Sequence, residues 1–205
     1  LGLDAPPDGA APAIDPDGFR WPLWLWLALG VSFGALLGFG PATSWAGLAG
    51  AAILLIGLLC ASAVDLRSHW LPDLITLPLL WAGLLQAVML GADVDARVLG
   101  AACGYGVLFA INQIYKLRSG QDAIGGGDLK LLAAIGAWGG PWILPFVVIA
   151  ASSLGAIAGA LLMARGTHDS TSAFPFGPCL AAVGAAAVLG GEPVFGDYLF
   201  LVGGP

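Results

Sequence analysis

Stretch after stretch of this chain runs for about twenty residues with almost no charge, the length a helix needs to cross a bilayer. Such runs lie near 21–40, 45–64, 74–92, 96–115, 141–163 and 177–190. In hydrocarbon a backbone must satisfy its own hydrogen bonds, which a helix does within one segment. A shorter helix is expected near 129–139, after a glycine cluster, and an apolar tail occupies 194–202. The 129–139 piece is too short to cross alone, so it either joins the turn at Gly139-Gly140-Pro141 or enters the bilayer partway. The expected fold is all-α, a polytopic transmembrane helical bundle of about six to eight membrane helices. Composition agrees: 59% of residues are hydrophobic and 10% are charged, where a soluble domain carries about 25%. The 32 glycines suit helices that pack closely through small residues.

The charges that remain are unevenly placed. Asp4, Asp8, Asp15 and Asp17 fall among Pro, Ala and Gly, so residues 1–20 read as a mobile acidic tail with too little apolar area to fold. They lack the basic start of a secretory signal peptide. Residues 21–205 form the expected membrane domain. The sequence starts at Leu1, not Met, so further residues are expected upstream. Alternate connections gather Arg20, Arg67, Lys116, Arg118, Lys130 and Arg165 on one side and leave only Arg97 on the other. Basic residues accumulate on the cytoplasmic side, which fixes the expected orientation and requires the 129–163 region to cross twice, or to dip and return. Trp21, Trp24, Trp26, Trp45, Trp70, Trp138 and Trp142 lie near span ends and read as an interfacial belt. Cys60, Cys103 and Cys179 stand apart, with no CxxC pair, and read as buried inert thiols. His69 and His168 have no second ligand at metal spacing, so no metal site is expected. Gly125-Gly126-Gly127-Asp128-Leu129-Lys130 lacks the spacing of a phosphate cradle, and no nucleic-acid partner is expected.

Two acids interrupt this apolar pattern. Asp65 follows the run 51–64 with almost no polar warning. A carboxylate placed inside a membrane costs about 2.5–3.5 kcal/mol at mid-depth and marks function by default. The plainer alternative has Asp65 ending its helix in water beside Arg67. Asp73, after Pro72 at the start of an apolar helix, reads as a helix cap. Asp128 follows three glycines, 125–127, which allow close backbone approach. By itself Asp128 would read as the cap of helix 129–139, with Lys130 reaching to the interface or holding the loop near Asp128.

Together Asp65 and Asp128 read differently. They sit at the same-side ends of different spans, so only tertiary packing can join them. Two carboxyl groups facing one another cannot both ionise easily, so one keeps a proton. The charged one takes a proton from water and the neutral one donates to a carbonyl. That pairing hydrolyses amides with no metal and no nucleophilic side chain.

Three segments carry a resemblance. Residues 65–85 hold Asp65-Leu66-Arg67, then Leu71-Pro72-Asp73, Thr76-Leu77-Pro78-Leu79-Leu80-Trp81 and Gly83-Leu84-Leu85. Residues 122–141 hold Gly125-Gly126-Gly127-Asp128-Leu129-Lys130-Leu131-Leu132, and a third segment reads Phe174-Pro175-Phe176-Gly177-Pro178. In that order and spacing they resemble the type IV prepilin peptidases over about residues 45–190. The resemblance implies an aspartic endopeptidase of the cell inner membrane, with its active site facing the cytoplasm. Its substrates would be prepilins or pseudopilins of a pilus or secretion system, from which it removes a short basic leader. Asp65 and Asp128 take the catalytic positions, with Pro72, Asp73, Gly125, Gly127 and Lys130 in support. Bifunctional members carry an N-terminal cytoplasmic insertion, often with paired CxxC motifs, associated with methylation. The sequence shown has neither, so the expectation is a peptidase-only or shortened member with no cofactor, in which use of S-adenosylmethionine is doubtful. Two other readings stay open: a presenilin-like protease cutting within a span, and a proton-coupled carrier, since membrane carboxylates also relay protons. Transporters usually carry duplicated halves, and none is visible here.

Overall fold

A computed structural model describes residues 45–68, 70–122, 124–164 and 175–202, and all secondary structure among them is helical. The elements are α1 (Trp45–Ser68), α2 (Asp73–Leu90), α3 (Val94–Ser119), α4 (Gly126–Gly139), α5 (Leu144–Ala164) and α6 (Gly177–Val202). Four of them, α1, α2, α3 and the Leu144–Leu161 part of α5, are long and apolar enough to cross a membrane, and Gly177–Gly190 in α6 is a shorter apolar helix. The acidic tail at 1–20, the run at 21–40, Trp21, Trp24 and Trp26 lie outside the described residues.

Several boundaries differ from the sequence reading. Helix α1 does not stop at residue 64 but runs to Ser68, so Asp65 lies inside its last turn. Ser68 supports that turn by donating its hydroxyl to the Val64 carbonyl at 2.8 Å. The 177–190 run and the 194–202 tail are one helix, because glycine weakens a helix by about 1 kcal/mol without forbidding it. Helix α4 begins three residues early, at Gly126, with Gly125 as its N-cap.

Helix α4 is the centre of the molecule. It has 14 residues, about 21 Å at 1.5 Å per residue, and Leu131, Ala134, Ile135 and Ala137 are fully buried. A helix apolar on all sides belongs in a core. Its neighbours come close because glycines face it. A methyl group on Gly136 would collide with the Gly100 carbonyl, and one on Gly104 would lie 2.6 Å from the Leu132 carbonyl oxygen. Gly100 and Gly104 thus let the α3 and α4 backbones touch, as small residues four apart do in membrane helices. Gly83 of α2 accepts the Trp138 ring, and Gly184 of α6 accepts the Ile135 side chain.

Trp138 is therefore a core residue and not part of the interfacial belt. The short helix places it within the bundle, where its indole N–H donates to the Leu79 carbonyl at 2.8 Å, as a buried indole requires. Arg97 of α3 donates to the Trp138 carbonyl. Trp45 and Trp70 are exposed, as a belt requires. Cys60 is exposed and Cys103 half-buried, so of the three thiols only Cys179 is buried as expected. Helices α4 and α2 run alongside each other from the same end, since Gly127 meets Leu71 and Trp138 meets Gly83. Helix α3 runs the opposite way. That arrangement puts Arg67, Lys116, Arg118 and Lys130 near one end of the bundle and Arg97 near the other.

Candidate active site

Asp65 occupies the last turn of α1 and is 6% exposed, one of three buried polar side chains among the described residues, with Ser62 and Thr76. It does not end its helix in water. The backbone N–H of Gly177, at the start of α6, donates to Asp65 Oδ2 at 3.0 Å. Gly177 can come so near because it has no side chain: a Cβ there would sit 2.6 Å from the same oxygen.

Asp128 arrives from the other direction. It is the third residue of α4, so it is not the helix cap that an isolated Gly-Asp suggests. Its N–H donates to the Gly125 carbonyl at 3.1 Å, and its carboxylate leans back over Gly125, 3.6 Å from where a Cβ would stand. Gly177, which holds Asp65, and Gly127, which precedes Asp128, both lie against Leu71. Two acids distant in sequence are thus neighbours at one end of the bundle.

The supporting residues sort into distinct tasks. Gly127 lies against Leu71, where a Cβ would come 2.5 Å from the Leu71 Cβ. Pro72 is the N-cap of α2 with φ −73° and ψ 143°, and its carbonyl accepts from the Ile75 and Thr76 N–H groups at 3.1 and 3.3 Å. Asp73 makes no capping bond; as the first helical residue it takes the Lys130 ammonium on its Oδ1. The capping expectation fails because Pro72 already holds the cap position, leaving the Asp73 carboxylate free to reach α4. Lys130 consequently ties α4 to α2, two residues beyond Asp128.

The loop before α4 has its own fastening. Asn112 donates to Asp122 Oδ1 at 3.0 Å and accepts from the Ile124 N–H at 3.1 Å, while Lys116 pairs with Asp122 Oδ2 at 2.9 Å. The hydrogen bond from Lys116 holds the Asp122 carboxyl below its usual range, with Asn112 adding to it. Sequence reading missed this clasp, along with Leu71 and Gly177. The Asn112-to-Asp122 spacing across a Gly120 turn was its faint signal, and the Gly177 in the late Pro-Phe-Gly-Pro segment was the other. Among the described residues no group of three His, Cys, Asp or Glu could hold a metal ion. His69, His168 and the 167–172 loop lie outside the described residues.

These features define a class: a multi-pass helical membrane protein with two acids brought to one end of its bundle. A sequence profile of the type IV leader peptidase family matches residues 52–160, and the chain belongs to that family. It is 44% identical over 194 residues to the prepilin leader peptidase/N-methyltransferase of Burkholderia pseudomallei (strain K96243), covering 92% of this chain and 59% of that one. Against the protein of the same name from Pseudomonas aeruginosa it is 41% identical over 157 residues, 76% of this chain and 54% of the relative. For the Aeromonas hydrophila protein of that name, identity is 39% over 186 residues, 90% and 63% of the two chains. The chain thus spans less than two thirds of the length of these relatives. No solved structure gives a significant match.

Proposed function

We propose that this chain is a membrane aspartic endopeptidase that removes the leader from type IV prepilins or pseudopilins, with Asp65 and Asp128 as its catalytic pair. The observation that carries the reading is their approach at one end of the bundle from separate helices, through Gly177, Leu71 and Gly127. An ionised carboxylate is acceptor-only, and Asp65 already accepts the Gly177 N–H, which suits it to the ionised role. Asp65 would then take a proton from a water as its oxygen attacks the scissile carbonyl. Asp128 would give its proton to the carbonyl oxygen, producing a neutral gem-diol. Collapse of that diol returns one proton to Asp128 and passes the other from Asp65 to the amine nitrogen as the C–N bond breaks.

The basic residues support the orientation. Arg67, Lys116, Arg118 and Lys130 lie toward the end that holds the acids, which would therefore face the cytoplasm in the inner membrane. Asp65 is three residues from the end of α1, a placement that favours cleavage at the rim of the bilayer over cleavage within a span. The two acids need no metal for this chemistry. Methyl transfer, the second activity in the relatives' names, is a separate question that S-adenosylmethionine and a cleaved pilin would answer on the same preparation.

Co-expression with a prepilin tests the proposal. Wild-type chain should shorten the prepilin by its leader, read by gel and by mass spectrometry of the new N-terminus. Asp65→Asn and Asp128→Asn should each lower cleavage by on the order of a thousandfold while still inserting in the membrane. Normal processing by either variant would refute the pair. Uptake of protons or solute into proteoliposomes with an uncut prepilin would point to a carrier instead.

A further inference from the structure

Leu71 lies in the connection between α1 and α2 and is 4% exposed. Its side chain meets two glycines at once. On one side is Gly127, whose added Cβ would stand 2.5 Å from the Leu71 Cβ and 3.3 Å from its Cδ1. On the other is Gly177, whose added Cβ would stand 3.2 Å from the same Cδ1. Gly127 immediately precedes Asp128, and Gly177 is the residue whose N–H holds Asp65. The five residues form a continuous path, Asp65 to Gly177 to Leu71 to Gly127, ending at Asp128.

The connection around Leu71 is stiff. A residue before proline is held to extended conformations, and Pro72 opens α2 with an extended backbone. The next residue, Asp73, is bonded to Lys130 on α4. Leu71 is therefore fixed from behind by α2 and from the side by α4, and it has no room to swing away. Van der Waals contact with both glycines makes the distance between the two acid-bearing segments depend on the volume of one side chain.

We propose that Leu71 is a positioning residue that sets the separation of Asp65 and Asp128 by acting as a spacer between Gly177 and Gly127. The proposal rests on the peptidase reading for its kinetic test but has a second readout that does not. A spacer moves the two acids in opposite directions when it shrinks or grows, whereas an ordinary core leucine loses stability either way without a signed change in their separation.

The kinetic arm compares wild type with Leu71→Ala, Leu71→Phe and Leu71→Met in lipid nanodiscs, with a purified prepilin as substrate. Leu71→Ala and Leu71→Phe should each lower kcat by about a hundredfold, since misplacement of about 1 Å has that effect, with KM changed little. Leu71→Met, close in volume, should restore most of the rate. The geometric arm uses Asp65→Cys/Asp128→Cys in a chain with Cys60→Ser, Cys103→Ser and Cys179→Ala, cross-linked by bis-methanethiosulfonate reagents of graded length, each end releasing methanesulfinate on attack by a cysteine thiolate. The best-fitting reagent should become shorter with Leu71→Ala and longer with Leu71→Phe. An unchanged reagent length in both, or wild-type kcat in Leu71→Ala and Leu71→Phe, overturns the proposal. If wild type cuts no prepilin, the peptidase reading fails, while the cross-linking series still decides the spacer.

Discussion

The two acid-bearing segments reach the same place by opposite means. Asp65 comes at the end of a 24-residue spanning helix and is gripped by a backbone N–H from α6. Asp128 comes at the start of a 14-residue helix that cannot span, after a loop fastened by side chains. Helix α1 is positioned by lipid and length as much as by its neighbours. Helix α4 is positioned by neighbours alone, through glycine contacts with α3, the Trp138 indole and the Lys130–Asp73 pair. One carboxylate is thus built into the frame of the bundle, and the other is carried on an insert placed within it.

Breaking the insert should have the largest effect. Gly136→Leu forces a side chain into the α3 backbone at Gly100, costing about 3 kcal/mol or more. Cleavage should disappear, and thermal unfolding in detergent should shift strongly downward. A Gly136→Leu protein with normal activity would mean that the α3–α4 contact does not place Asp128.

Lengthening each acid by one methylene sharpens the contrast. Asp65 is buried with the Gly177 backbone directly on its carboxylate, whereas Asp128 is half-buried. Asp65→Glu should therefore lose about a hundredfold in kcat and Asp128→Glu about tenfold, on the scale that small misplacements produce. Equal losses would dissolve the distinction between frame and insert.

Removing the tie between α2 and α4 comes next. Asp73→Asn and Lys130→Gln should each lower kcat by about tenfold, and the exchanged pair Asp73→Lys/Lys130→Asp should recover part of it. A double-mutant cycle on leader cleavage would measure that coupling. The smallest effect belongs to the exposed Lys116–Asp122 clasp, because exposed ion pairs contribute little and are screened by salt. The Asp122 carboxyl sits below its unfolded range, so its contribution is present in full at neutral pH. It is lost only as pH falls through that lowered value. Hydrogen exchange of the 120–125 amides, corrected for intrinsic pH dependence, should show the loop loosening in acid and not near neutrality.

How far the sequence revealed this arrangement depends on which physical effect was at work. Membrane spans are written in composition over twenty residues, so four of the expected runs, near 45–64, 74–92, 96–115 and 141–163, return as helices with ends shifted by a few residues. Asp65 stood out because a charge next to lipid is costly enough to need a reason, and Asp128 because it lies at the same-side end of another span, where it could pair with Asp65. What sequence could not reveal was contact across the bundle. Trp138 looked like a belt residue because its neighbours in sequence are a turn, and only packing shows that the turn lies within the bundle. Asp73 looked like a cap because capping is a local habit, while its partner Lys130 lies on another helix. Leu71 and Gly177 stood within the quoted segments, but nothing there showed that they touch, since a leucine and a glycine in a membrane protein are unremarkable until their neighbours are known.

The bare backbone contact between Gly100 and Gly136 lies eight residues along α4 from Asp128, about 12 Å of helix. Bulk added there travels down a rigid rod and shifts the carboxylate at its far tip. A saturation screen for lost leader removal should therefore return substitutions at Gly100, Gly104 and Gly136, positions closed between α3 and α4. A map of such hits would trace the scaffold of the short helix before it traced residues that touch a substrate.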